Sequence, residues 1–187
     1  MQTVFSSALA VLCLGVANAV YLSGPCPSIV SQPTLDASRY VGKWYELKRF
    51  PNTNQEDLSC TSAQYTLASD GTVIVRNQGF FSNGTMDSIE GTAQVVDASS
   101  PAELSVDFGF GWPSNVPNYY ILDTDYDNYS LVYSCSEMFG VSVEFAWILT
   151  RERNANLDVS ALEQTLTDAG VDVANFETVD QQNCSDD

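Results

Sequence analysis

Apolar and polar residues alternate along most of this chain in short segments, broken by Gly, Asn, Asp, Ser or Pro about every 8 to 12 residues. Period two marks strands with one buried face, because successive side chains point to opposite sides. The first such segment, 42–52, opens Gly42-Lys43-Trp44-Tyr45. Segment 61–68 leads through Ser69-Asp70-Gly71 into 72–80, and Asp-Gly between two alternating runs is a strong hairpin signal. Ser82-Asn83-Gly84 turns the chain into 86–96. In segment 104–110, Leu104, Val106, Phe108 and Phe110 alternate with Ser105, Asp107 and Gly109. Segments 118–124, 129–135 and 141–151 complete a series of eight.

Helical period appears once, where Val159, Leu162, Leu166 and Ala169 recur at three to four residues. Ser160 and Glu163 have capping-box spacing, Asp158 is the rival cap, and Gly170 follows as a stop. A short extended stretch, 173–179, leads to Cys184. No repeat, low-complexity tract or linker interrupts the series. The pattern predicts an all-β fold, an eight-stranded antiparallel up-and-down barrel with one C-terminal helix packed outside, because closure removes the exposed edges of a long meander. A two-sheet sandwich is the alternative. A barrel of eight strands is either filled by side chains or holds one small ligand.

The front of the chain is different. Residues 4–16 form an apolar run too short to span a bilayer, followed by Ala17-Asn18-Ala19, a small-x-small cleavage pattern. Residues 1–19 therefore read as a secretory signal, although no Lys or Arg precedes the run, and 20–187 as a single exported domain. A buried first helix is the competing reading. Cys13 leaves with the signal; Cys26, Cys60, Cys135 and Cys184 remain. An even count in an exported chain, without a C-x-x-C pair or any histidine, reads as two disulfides and not a metal site. Spacing leaves all three connectivities open.

Against 24 Asp and Glu stand 7 Lys and Arg, for a net charge of -17. Such a chain makes a poor partner for nucleic acid or anionic membranes. Its acidity reads as solubility through self-repulsion, with a cationic partner as the other explanation. The absence of histidine excludes His-activated nucleophiles and His-ligated haem or zinc within the chain.

Gly42-Lys43-Trp44-Tyr45 in the first strand, Thr124-Asp125-Tyr126-Asp127-Asn128-Tyr129 between two late strands, and Arg151 at the end of the last long strand resemble the three signature segments of the lipocalins. Residues 119–135 and Phe145-Ala146-Trp147-Ile148-Leu149 look like the subgroup of apolipoprotein D, the bilin-binding proteins and the crustacyanins. The resemblance runs from Cys26 to Cys184. It implies that Gly42, Trp44 and Arg151 are structural, with Arg151 lying across the Trp44 ring at the closed end. It also implies the disulfides Cys26–Cys135 and Cys60–Cys184.

Strict alternation turns Ala63, Tyr65 and Leu67 inward, then Val73, Val75 and Asn77, then Ile89, Gly91, Ala93 and Val95. Leu104 to Phe110 and Phe145, Trp147 and Leu149 complete the inner face. Tyr65 and Asn77 are polar handles on it, readable as satisfied structural groups or as part of a site. Positions matching Tyr65, Asn77, Trp147 and Leu149 contact ligand in the resembling subgroup. The candidate ligand-binding set is thus Tyr65, Val75, Asn77, Phe108, Phe110, Phe145, Trp147 and Leu149, expected at the end of the barrel opposite Trp44.

The ligand expected is small and hydrophobic, such as a carotenoid, sterol or retinoid, with no covalent cofactor and no metal. A bilin carries carboxylates, which when desolvated need Lys or Arg. Arg76 alternates away from the interior and Arg151 is committed to Trp44, leaving Lys48 as the basic residue able to reach the mouth. A bilin-binding pigment protein and an oligomeric carotenoprotein subunit are the alternatives. An enzyme, in the manner of lipocalin isomerases with a free cavity thiol, ranks below them, since no G-x-S-x-G or phosphate-cradling loop is present. Homo- or hetero-oligomers would form through the mouth loop Phe110-Gly111-Trp112-Pro113 and exposed Tyr119, Tyr126 and Tyr129. Asn83-Gly84-Thr85 and Asn128-Tyr129-Ser130 are glycosylation sequons at turns, and Asn183-Cys184-Ser185 is a third with the bonding cysteine inside it.

Overall fold

The computed structural model describes residues 19–111, 113–138 and 140–184. Residues 1–18, which hold almost all of the expected signal, and Trp112 of the mouth loop lie outside them. Ten strands, two α-helices and a 3-10 turn follow in order: β1 Val20–Ser23, α1 Ala37–Tyr40, β2 Gly42–Arg49, β3 Ser59–Leu67, β4 Val73–Phe80, β5 Met86–Val95, β6 Glu103–Asp107, β7 Tyr119–Thr124, β8 Tyr129–Met138, β9 Val141–Thr150, α2 Ser160–Asp168, the 3-10 turn Val173–Asn175 and β10 Glu177–Thr178. Strands β2 to β9 each pair with the next, and β9 pairs back with β2 to close an eight-stranded antiparallel barrel. The barrel expectation is met and the sandwich discarded. Two short strands outside the predicted series extend the sheet, β1 along β9 and β10 along β2.

Where the chain departs from alternation, a local cause is visible. Segment 104–110 is a strand only as far as Asp107, whose carboxylate accepts from the backbone N–H groups of Gly109 and Phe110 and turns the chain out of the sheet. In β2 the register shifts between Glu46 and Lys48. A bulge of this kind flips the parity of the residues beyond it. Helix α2 falls where the period places it, but Ser160 and Glu163 form no capping box. Asp158 instead accepts from the Ser160 N–H and hydroxyl, and Glu163 faces Lys48. Gly170 at φ +85° ends the helix, with the Val171 N–H returning to the Leu166 carbonyl.

Two cores result. One fills the closed end around Tyr40, Trp44, Ala63, Tyr65 and Ile121. The other lies outside the barrel wall, where Leu162 and Leu166 of α2 pack on Leu131, Tyr133, Ala146 and Ile148. Cys26–Cys135 and Cys60–Cys184 are bonded, so the implied connectivity is the one present.

Candidate functional site

Turns 68–72, 96–102 and 125–128 lie at one end of the barrel together with α1; loops 50–58, 81–85 and 108–118 lie at the other. Trp44 is fully buried at the first end. Its indole N–H donates to the Tyr40 carbonyl at 2.8 Å, and the Arg151 guanidinium lies 3.7 Å from its ring centroid. Arg151 also donates to the carbonyls of Tyr126, Lys43, Arg39 and Tyr40, so one guanidinium ties these chain segments together across the floor. Gly42 has φ +99°, and a Cβ there would meet Arg151 Nη1 at 3.2 Å, which is why the strand opens on glycine.

Above this floor the barrel encloses a cavity of about 600 Å³. All eight sequence-selected residues line it. Val75 and Leu149 are buried in the wall, while Asn77, Phe108, Phe145 and Trp147 are half-buried on it. Phe145 and Trp147 stack with centroids 5.9 Å apart and planes 7° from parallel. Phe108 covers Gly91, where a Cβ would lie 2.7 Å from the Phe108 ring. Phe110 stands apart: it lies beyond the end of β6 in the mouth loop and is 84% exposed, so it belongs to the rim and not to the inner wall.

Other expectations require correction. Tyr65 is not at the end opposite Trp44. It pairs with Gly42 in the sheet and its ring lies 5.6 Å from Tyr40, so it forms the cavity floor. Leu67 and Val95, at the closed ends of β3 and β5, are exposed, as is Ile89 although it lines the cavity. Lys48 does not reach the mouth. The bulge turns it outward, where it bonds Glu163 of α2 at 2.6 Å and lies over the Phe176 ring. The tyrosines expected on the surface are held: Tyr119 lines the cavity, Tyr126 packs under the Arg39 guanidinium, and Tyr129 donates to Asp123. Asn83 and Asn128 are exposed at their turns.

Several cavity groups were missed by alternation. Glu46 is buried; its carboxylate accepts from Thr61 and Gln55 at 2.6 Å each and faces Arg49 at 3.4 Å. The Gln55 carbonyl oxygen takes the Trp147 indole N–H at 3.2 Å, so a mouth-loop residue fixes the cavity tryptophan. The signal available was Glu46 itself, two residues after Trp44 on the same face. At the floor, the Tyr65 and Tyr119 hydroxyls are 2.9 Å apart and the Tyr40 hydroxyl is 3.0 Å from Ser130 Oγ. Loss of hydration raises all three phenols, Tyr40 to about 12, so they stay neutral donors at physiological pH. Asn77 Oδ1 is buried with no partner among the described residues. The described residues lining the cavity include Glu46, Asp87 and Asp107 but neither Lys nor Arg. No group of three or more His, Cys, Asp or Glu among the described residues could hold a metal ion.

A closed antiparallel barrel, plugged at one end by a tryptophan under an arginine and open above an apolar cavity, defines a class of binding protein. Residues 35–181 match the lipocalin-like domain, and the chain belongs to that family. It is 37% identical over 186 residues to apolipoprotein D of Macaca fascicularis, covering 98% of this chain and 97% of the relative. It is 32% identical over 151 residues to the Lazarillo protein of Schistocerca americana, covering 78% and 70%. Among solved structures it resembles lobster apocrustacyanin A1, with 25% identity, a TM-score of 0.72 and coverage of 87% and 92%. Insecticyanin of Manduca sexta has the same fold, at 23% identity, a TM-score of 0.74 and coverage of 88% and 90%.

Proposed function

We propose that this protein is a secreted carrier that holds one small, neutral, elongated hydrophobic molecule of the carotenoid, sterol or retinoid class inside the barrel. The observation that carries this reading is the 600 Å³ cavity walled by Val75, Phe108, Trp147 and Leu149. Its size falls in the range of small-molecule sites, and its few polar groups suit orientation more than charge pairing. The absence of Lys and Arg from the described lining argues against a ligand whose carboxylates must be buried, because a desolvated carboxylate needs a cationic partner.

Export with removal of residues 1–19 belongs to the same reading. It is supported by the two disulfides, which suit an oxidising compartment. No helix among the described residues is long and apolar enough to cross a membrane. Binding is preferred to catalysis because the chain has no histidine and Cys26, Cys60, Cys135 and Cys184 are all in disulfides, leaving no thiol among the described residues. Exposed Phe81, Met86, Phe110, Val116 and Val141, on the mouth loops and the strand ends beside them, favour a second reading, in which the rim also meets a partner subunit. Glycosylation at Asn83 and Asn128 is part of the proposal, both asparagines being accessible.

Purification from the native source, followed by an absorption spectrum and mass spectrometry of the organic extract, tests the reading. A neutral apolar molecule at up to one per chain is expected. Recovery of a carboxylated tetrapyrrole would overturn the preference for a neutral ligand.

A further inference from the structure

The cavity floor has a polarity that can be worked out by counting hydrogens. Four hydroxyls meet there: Tyr65, Tyr119, Tyr40 and Ser130. Tyr65 and Tyr119 are 2.9 Å apart, and Tyr40 and Ser130 are 3.0 Å apart. The four therefore form two pairs, Ser130 with Tyr40 and Tyr119 with Tyr65. Each hydroxyl carries one hydrogen to donate. One contact uses one hydrogen, so each pair keeps one O–H.

The two pairs differ. Ser130 is fully buried behind the floor, and among the described residues its hydroxyl meets no acceptor other than Tyr40. Leaving its hydrogen unused would cost the desolvation of a buried donor. Tyr65 and Tyr119, in contrast, line the cavity. Within the Tyr65–Tyr119 pair one O–H donates to the other oxygen, so the second hydrogen is left at the cavity. Neither Lys nor Arg accompanies it in the described lining.

We infer that the cavity floor is a neutral hydrogen-bond donor built to receive an uncharged oxygen acceptor, so that the ligand enters with a carbonyl or ether oxygen leading and its apolar body toward Phe108 and Trp147. This inference rests on the carrier reading above and narrows it to a ligand class: neutral apolar molecules with a terminal ketone or comparable acceptor, in preference to the bare hydrocarbon or the carboxylate. The apolar wall alone would not distinguish the first two.

The test uses the full mature chain and two probes that share a skeleton, 5α-androstan-3-one and 5α-androstane. Affinities are measured for the wild type and for Tyr65→Phe/Tyr119→Phe, the double change being needed because Tyr119 could donate in place of Tyr65. The ketone should lose on the order of tenfold or more in affinity relative to the change in the hydrocarbon, the size expected for an unsatisfied buried acceptor. Equal changes for both probes would overturn the inference. A second measurement needs no variant: the infrared carbonyl stretch of carbon-13-labelled ketone bound to the wild type should move to lower wavenumber than in hexane. A band at the hexane position would overturn the donor floor even if the variant failed to fold. Failure of the wild type to bind either probe would instead count against the carrier reading itself.

Discussion

Glu144 is the residue whose environment sets the sharpest expectation for stability. It lies on the outer face of β9, opposite Val20 of β1, and is 1% exposed. One carboxylate oxygen accepts from the Tyr133 hydroxyl, and the other is buried with no partner among the described residues. Burial raises its pKa above the usual carboxylate value; Tyr133 opposes the rise, and the Asp172 carboxylate adds to it. Because the folded pKa is raised, the folded state holds this proton more tightly than the unfolded chain does. The stability associated with it is complete below the unfolded value and is lost as pH rises through the folded pKa. Gln at this position cannot ionise. Glu144→Gln should therefore unfold at a higher urea concentration than the wild type at pH 7.5, by about 1–3 kcal/mol, and at nearly the same concentration at pH 4. A difference between the two proteins that does not change with pH would contradict this account. Nothing in the sequence marks Glu144, because the strand that pairs beside it, β1, is distant in the chain. Trp44 and Arg151 were legible only through the resemblance to the lipocalins, whose signature segments carry both residues. Tyr119 was misread as a surface tyrosine because a phenol beside Tyr120 has no sequence mark of which ring turns inward.

Among the elements, strand identity followed from alternation wherever the ladder was regular, and failed where one residue broke it. Lys48 was assigned toward the mouth, and the bulge between Glu46 and Lys48 turned it out toward α2. Phe110 was counted as strand, and the Asp107 carboxylate had already ended β6. Strand β1 was not foreseen, since an edge piece of four residues is too short to show a period, whereas β10 falls within the extended stretch expected at 173–179. The C-terminal tail does more than trail from the helix. The Gln181 amide donates to the carbonyls of Glu46 and Thr61, the Cys60 N–H donates to the Asp180 carbonyl, and Cys184 is bonded to Cys60. The tail thus covers the irregular start of β3, where Ser59 and Ser62 flank a register shift. Closing a loop across 124 residues should stabilise the chain by about 4–5 kcal/mol in the chain-entropy description. Cys60→Ser/Cys184→Ser should lower the free energy of unfolding in urea by roughly that amount. A loss below about 1 kcal/mol would show that the hydrogen bonds of residues 180 and 181 hold the tail without the covalent link.

For the molecule as a whole, the barrel, its closed end and most of the cavity wall could be read from the sequence, because a period-two pattern fixes which residues share a face. The depth at which each residue sits was less legible. Tyr65 was placed far from Trp44, although antiparallel pairing of β2 with β3 sets it opposite Gly42. Among the described acidic residues, Glu46, Asp87 and Asp107 line the ligand space, and Glu46 is balanced by Arg49. The central claim is that a neutral apolar molecule occupies this cavity. Isothermal titration of the mature protein with 5α-androstan-3-one, beside Asn77→Trp, whose indole would fill the middle of the cavity, tests it most directly. Saturable binding at one molecule per chain, with a negative heat-capacity change and abolished by Asn77→Trp, is the predicted result. Absence of saturable binding, or binding untouched by Asn77→Trp, would contradict it.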